Sequence, residues 1–178
     1  MMPARRVPPR FPGAWLLLAF AVLLCGCAGY RLGPSNGETA GTRSVEFKPF
    51  SDQTLEPRLL EPVAQSLRKG LQRDGTFRLA TREPGDIVVS GALVGYSRRP
   101  LTYQPKDLFT TRDYEVRLVA HVTAVERSTG RVLFDREIVG RTPIRSAPDL
   151  NSAERQAAPL LADDLSRTIL SLLVDGSW

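Results

Sequence analysis

Cysteine and histidine are nearly missing from this sequence. Its two cysteines, Cys25 and Cys27, stand at the end of a leader, and its one histidine is His121. Residues 28–178 therefore hold no thiol, so no internal disulfide can staple the domain. No paired-histidine or cysteine spacing suits a metal. There is no Gly-x-Ser-x-Gly elbow and no phosphate loop. These absences argue against an enzyme, a cofactor site and a metal centre. Long hydrophobic runs are missing as well. The apolar stretch Ala14–Cys25 spans 12 residues, short of the roughly 20 that carry a helix across a bilayer.

That short run has a different meaning in its context. Arg5, Arg6 and Arg10 precede it, with no acidic residue among the first thirty. A basic segment, a short apolar segment and a small residue at a cut site make a secretory signal. Leu24-Cys25-Gly26-Cys27 has the form of a bacterial lipobox, with Leu three before the cysteine and Gly just before it. Cys25 fits worse, because Leu24 would then occupy the small-residue position. The expectation is cleavage after Gly26 and lipid on Cys27. Each buried methylene contributes about 0.8 kcal/mol, so two or three acyl chains anchor stably. Ala28, where Asp would favour retention in the inner membrane, leans toward the outer membrane.

Removal of 1–26 from 178 residues leaves 152, which suits one domain. The chain has 24 basic and 19 acidic residues. Three arginines leave with the signal, so the mature balance is 21 against 19, or +2. No global nucleic-acid signature survives that correction.

Residues 27–43 read as a lipidated start and a tether, rich in Gly, Ser, Thr, Asn and Pro between Gly33 and Gly41. Residues 44–178 read as one α/β domain. Ser44–Phe50 alternates and predicts a first strand, placed at an edge because of Pro49. Leu60, Val63, Leu67 and Leu71 recur at helical spacing, with Pro62 tolerated in the first turn and Gly75 as terminator. A short strand is expected at Phe77–Ala80, and a longer one at Asp86–Ser97. Gly91, Ala92 and Gly95 on it would leave room for a helix to pack closely. Arg112–Val125 sets Tyr114, Val116, Leu118, Ala120, Val122 and Ala124 against Asp113, Glu115, Arg117, His121 and Thr123, the pattern of a strand with one wet face. Ser128-Thr129-Gly130 turns the chain into a partner strand, Arg131–Gly140. A last helix is expected over Ser152–Val174. Asn151 and Glu154 would form its capping box, and Pro159 would kink it or mark its true start. The order is β-α-β-β-β-β-α, an α+β fold. Two amphipathic helices would cover one face of a four- to five-stranded, mostly antiparallel sheet.

The adjacent Asp163 and Asp164 point in different directions on a helix and read as a solvated face. His121 falls on the polar face of its strand and reads as structural. The stretch Tyr96–Arg112 mixes Arg98, Arg99, Lys106 and Arg112 with Tyr96, Tyr103 and Phe109. Its bland reading is a solvated hairpin loop. Its functional reading is a surface for an anionic lipid or a barrel lining, since arginine forks suit phosphate and aromatics suit acyl chains or a protein.

Several segments together resemble the lipopolysaccharide-assembly lipoproteins, the LptE family. They are Cys27-Ala-Gly-Tyr-Arg-Leu-Gly33; Val45-Glu-Phe-Lys-Pro-Phe50 with Thr54-Leu-Glu-Pro57; Arg73-Asp-Gly75; Gly85-Asp-Ile-Val-Val-Ser-Gly91 with Tyr96; and Ser128-Thr-Gly-Arg-Val-Leu-Phe134. The resemblance implies two helices on a four-stranded sheet and no catalysis. It also implies a partner, the outer-membrane β-barrel LptD, which such proteins help to fold and plug while lipopolysaccharide passes to the cell surface. The alternative is another periplasm-facing lipoprotein with a similar α/β domain, a curli-secretion lipoprotein or an activator of cell-wall synthases. Those usually read closer to Val-Ala-Val-Leu-Pro-Phe at the first strand.

Overall fold

The computed structural model describes residues 40–104, 107–145 and 150–176. The signal, Cys27 and most of the expected tether lie outside that set, as does Lys106. Six strands form one mixed sheet: β1 (Ser44–Phe47), β2 (Ser51–Asp52), β3 (Arg78–Leu79), β4 (Ile87–Gln104), β5 (Asp107–Glu126) and β6 (Val132–Arg145). Two α-helices accompany it among the described residues, α1 (Leu60–Asp74) and α2 (Leu150–Asp175). The spatial order is β3-β1-β4-β5-β6, with β2 beside β4 farther along. None of the described helices is long and apolar enough to cross a membrane.

The long hairpins are antiparallel, whereas β1 pairs in parallel with both β3 and β4, and β2 in parallel with β4. This corrects the edge placement of the first strand. β1 is an interior strand that ends at Phe47, and Pro49 sits in the link to β2, where it breaks no ladder. α1 forms as its periodicity predicts. A 3-10 turn, Pro57–Leu59, leads into it and places Pro62 in the first α-helical turn. Gly75 ends it at φ 75°, donating to the Leu71 carbonyl at 3.1 Å. Val63, Leu67 and Leu71 form its buried stripe.

β5 alternates as its sequence requires. Val116, Leu118, Ala120, Val122 and Ala124 are buried on the helix side. β6 follows the same rule from Ile138 to Arg145 and departs from it before that: at the register shift opposite Ala124 and Val125, Leu133 is buried and Val132 exposed. Arg136 shares the inner face with Phe134 and Ile138 and lies opposite Val122, yet it is exposed, because an edge strand lets a long side chain leave the core sideways.

α2 lies over β5 and β6 on Leu161, Leu165 and Ile169, all buried. It runs through Pro159, which it holds at an exposed position. Its seat depends on Gly140. A Cβ there would stand 2.8 Å from the Leu161 carbonyl oxygen and 2.9 Å from the Leu165 nitrogen. The glycines singled out on β4 serve other ends. The Phe50 ring fills the space beside Gly91, and a Cβ on Gly95 would meet only Val119, at 3.5 Å.

The free edge of β6 is partly closed to strand addition. Its Arg141 N–H donates to Asp164 Oδ2 at 2.9 Å, and Pro143, two residues on, has no N–H to offer. Arg167 faces Asp163 at 3.4 Å and Asp164 at 3.6 Å, so one exposed guanidinium answers both adjacent carboxylates. The two close-packing readings separate by experiment. Gly140→Ala should lower stability to urea by about 1–3 kcal/mol through overpacking. Gly95→Ala should be neutral or stabilise by up to about 1 kcal/mol.

Candidate functional site

The stretch expected to be a loop is a β-ribbon. β4 and β5 continue pairing to Gln104↔Asp107, whereas β6 accompanies β5 only as far as Asp113↔Arg145. Among the described residues the outer part is therefore two strands with no third neighbour. Register shifts after Pro100 and again after Thr102 bend it. Leu101 and Tyr103 are 47% and 49% exposed on it.

The ribbon does not gather the basic residues onto one patch. Arg98 and Arg99 are neighbours on a strand and point to opposite faces. Arg98 lies on the helix side, where its Nη1 is 3.0 Å from Glu154 Oε1. Arg58, from the turn before α1, reaches the other oxygen at 3.3 Å and also faces Glu56 at 2.9 Å. Glu154 is 4% exposed, so two guanidiniums answer one buried carboxylate. This corrects the expected capping box: the helix already includes Asn151, and Glu154 turns into the protein. Its neighbour Tyr96 is half-buried, and burial followed by the charge of Glu154 raises its phenol above the usual range. Arg99 is exposed on the far face, opposite Glu115 in register. Arg112 sits 4.0 Å from Asp113, which also faces Arg145 at 3.5 Å. The Thr102 hydroxyl above all, with Arg112 and Arg145, holds the Asp113 carboxyl below its ordinary value.

The second surface is the sheet face turned away from the helices. Glu115, Arg117 and His121 of β5 line it beside Asp135 and Glu137 of β6. His121 Nε2 lies 2.8 Å from Asp135 Oδ1, to which the Thr123 hydroxyl also donates at 2.8 Å. Arg117 faces Glu115 at 3.6 Å. The face carries both signs of charge and small residues, which suits recognition by a polar surface. No group of three His, Cys, Asp or Glu side chains arranged for a metal occurs among the described residues.

A third cluster escapes the sequence, because its members are 39 to 83 residues apart. Gly85-Asp86 meets Ser44-Val45-Glu46 side by side. The Ser44 N–H and hydroxyl donate to Asp86 Oδ2 at 2.7 and 2.8 Å, and the Asp86 N–H returns to the Ser44 hydroxyl at 3.1 Å. The Gly85 N–H donates to Glu46 Oε2 at 3.2 Å, and any Cβ at Gly85 would lie 2.6 Å from the Glu46 nitrogen. The β5–β6 turn is bound to the same place. Arg127 pairs with Glu46 and donates to the Gly85 carbonyl at 2.8 Å, while Arg43 pairs with Glu126 at 2.7 Å. The Thr129 hydroxyl first, then Arg43 and Arg131, keep the Glu126 carboxyl below its usual range. Three of the segments that carry the family resemblance thus converge at one end of the sheet.

The sequence matches the family model for lipopolysaccharide assembly, LptE, over residues 42–173. The chain belongs to the LptE family. It has no match among curated proteins. Solved structures share its fold at low identity. A Xanthomonas campestris protein of family model DUF330 matches with TM-score 0.59 and 10% identity, covering 82% of this chain and 91% of its own. A hypothetical protein of Chlamydia trachomatis matches at 0.50 and 10%, covering 76% and 96%. A minor lipoprotein of Acinetobacter baumannii matches at 0.49 and 14%, covering 74% and 92%. Within this LptE-family fold, the signature segments hold β1 against β4.

Two stability effects follow. Arg98→Ser strips one partner from the buried Glu154 and should cost about 1–2 kcal/mol in urea, below the cost of breaking a fully buried pair because Arg98 is half-exposed. Arg99→Ser should cost less than about 0.5 kcal/mol. The Ser44 N–H and hydroxyl lower the Asp86 carboxyl from its usual value. A depressed carboxyl stabilises the fold above its unfolded pKa of about 3.9, and that contribution is lost as pH falls through the folded value. Asp86→Asn should therefore cost about 1 kcal/mol at pH 7, the low end for an exposed charged acceptor. The difference from the parent should persist down to about pH 4 and shrink only as pH falls further, through the folded value.

Proposed function

We propose that this chain is an outer-membrane lipoprotein, cut after Gly26 and lipidated at Cys27, that partners the lipopolysaccharide-assembly β-barrel LptD from the periplasmic side. It helps the barrel fold, plugs it, and assists delivery of lipopolysaccharide to the outer leaflet. The observation that carries this reading is the family match over nearly the whole domain. Physical features agree with it. The lumen of an outer-membrane barrel is polar, and the face carrying Glu115, Arg117, His121, Asp135 and Glu137 offers paired charges of both signs to such a wall. The ribbon extends that surface beyond the sheet. Arg99 and Arg112 on it, together with Lys106 outside the described residues, are the proposed contacts for anionic groups of lipopolysaccharide, and Arg98 contributes by holding the ribbon to α2 through Glu154. No step of bond making or breaking belongs to this role.

The test is capture of the tagged, full-length chain from detergent-solubilised outer membranes, with its companions identified by mass spectrometry. A large β-barrel should co-purify. Recovery of a cell-wall synthase with no barrel would overturn the proposal. A parallel Cys27→Ser chain should leave the membrane fraction, which reports on anchoring separately from partnership.

A further inference from the structure

At the end of the sheet opposite the ribbon, a cleft of about 610 Å³ opens between α1, the β3–β4 loop and the β5–β6 turn. Arg68 enters it from α1, Arg82 from the loop and Arg127 from the turn. Arg127 is already engaged by Glu46 and the Gly85 carbonyl. Glu46 is spent in the same way, since it also accepts the Gly85 N–H. Arg68 and Arg82 are exposed and form no ion pair among the described residues. An adjoining cleft of about 230 Å³ shares Arg82 and adds Arg78, exposed and likewise without an ion pair. Three guanidiniums without an ion pair thus line two adjoining clefts, Arg68 the larger, Arg78 the smaller and Arg82 both, with Glu83 as the one uncommitted carboxylate in their walls.

The position of this cleft limits what can reach it. Ser44, a wall of the smaller cleft, opens β1, and the Arg78 N–H donates to the Arg43 carbonyl at 2.9 Å. The polypeptide leading back to Cys27 therefore leaves the domain beside these arginines. Sixteen residues separate Cys27 from Ser44, and the stretch spans at most about 60 Å. A lipid on Cys27 keeps a membrane surface within that reach. Guanidinium forks match phosphate oxygens in geometry and charge.

We propose that this cleft is a phosphate site that seats the headgroup of an anionic phospholipid in the leaflet holding the lipidated Cys27, so that the domain is oriented on the membrane as well as tethered to it. The proposal rests on the anchoring reading and not on the barrel partner.

The test uses the mature-length chain carrying Cys27→Ser, so that acyl chains do not dominate binding. Inorganic phosphate is titrated while the arginine Nε–H and backbone amide resonances are followed. Flotation is then compared on phosphatidylcholine vesicles with and without phosphatidylglycerol. Phosphate should shift the Arg68 and Arg82 side-chain signals, and the chain should prefer the anionic vesicles. Arg68→Ser with Arg82→Ser should abolish the shifts and weaken vesicle binding about 25-fold, about fivefold for each cation at a membrane surface. Arg136→Ser with Arg141→Ser, an equal charge change on β6, should leave both readouts near the parent. Absence of the phosphate shifts, or an equal loss from the β6 pair, would overturn the site. Phosphate shifts without a preference for anionic vesicles would overturn the phospholipid and leave a free phosphate ester as the ligand. Both arms dispense with the lipid, so neither result depends on whether Cys27 is acylated.

Discussion

Helix α2 rests on β6 at backbone distance, and the other layers of the domain take their positions from that contact. Gly140 lets the Leu161–Leu165 turn approach the strand closely enough for Leu161, Leu165 and Ile169 to reach the sheet. α1 then packs largely against α2, its Gly70 lying under Leu170, and covers the β1–β3 side. The same placement brings Glu154, near the start of α2, over the root of the ribbon, where Arg58 and Arg98 meet it. One close approach thus sets the core and the base of the ribbon together.

The two ends of the sheet are secured differently. At the ribbon end a buried carboxylate between two arginines joins three elements. Such a pair contributes little net stability over an apolar substitute but penalises any arrangement that leaves the charge alone. At the β1 end the contacts are mostly hydrogen bonds from the backbone and a serine to Asp86 and Glu46, reinforced by Arg127 and Arg43. They are directional and hold a short parallel strand in register, which β1, with four residues, needs more than the long hairpins do. The wet face between these ends, with charges of both signs, is the surface that the proposed partnership would use.

Legibility from the sequence tracked the range of the interaction. The stripe of α1 and the alternation of β5 were readable because each repeats a local geometry along one segment. The alternation of Ser44–Phe50 runs on through Pro49 and so points to an edge, whereas β1 ends at Phe47 and leaves Pro49 outside the ladder. Glu154 looked like a cap because the capping pattern names a spacing and says nothing of Arg58 or Arg98, which approach from elsewhere. The ribbon was hidden because Pro100, Pro105 and mixed polarity resemble a loop, whereas an isolated two-stranded hairpin needs no apolar face. Asp86 and Gly85 stood within a recognisable segment, yet their purpose depends on Ser44 and Glu46, some forty residues away.

By itself, the sequence determined the lack of any disulfide within residues 28–178, the two helices of the described domain, the two faces of β5 and the family. These depend on composition, on short-range order or on periodicities of 3.6 and 2, which the chain carries in one dimension. Only the tertiary structure decided that β1 runs inside the sheet, that Gly140 rather than Gly91 or Gly95 seats a helix, that Arg98 is held by Glu154 while Arg99 faces away, and that Arg68, Arg78 and Arg82 line adjoining clefts. Each of those facts is a distance between segments far apart in the chain, and such distances are set by packing rather than by any local pattern.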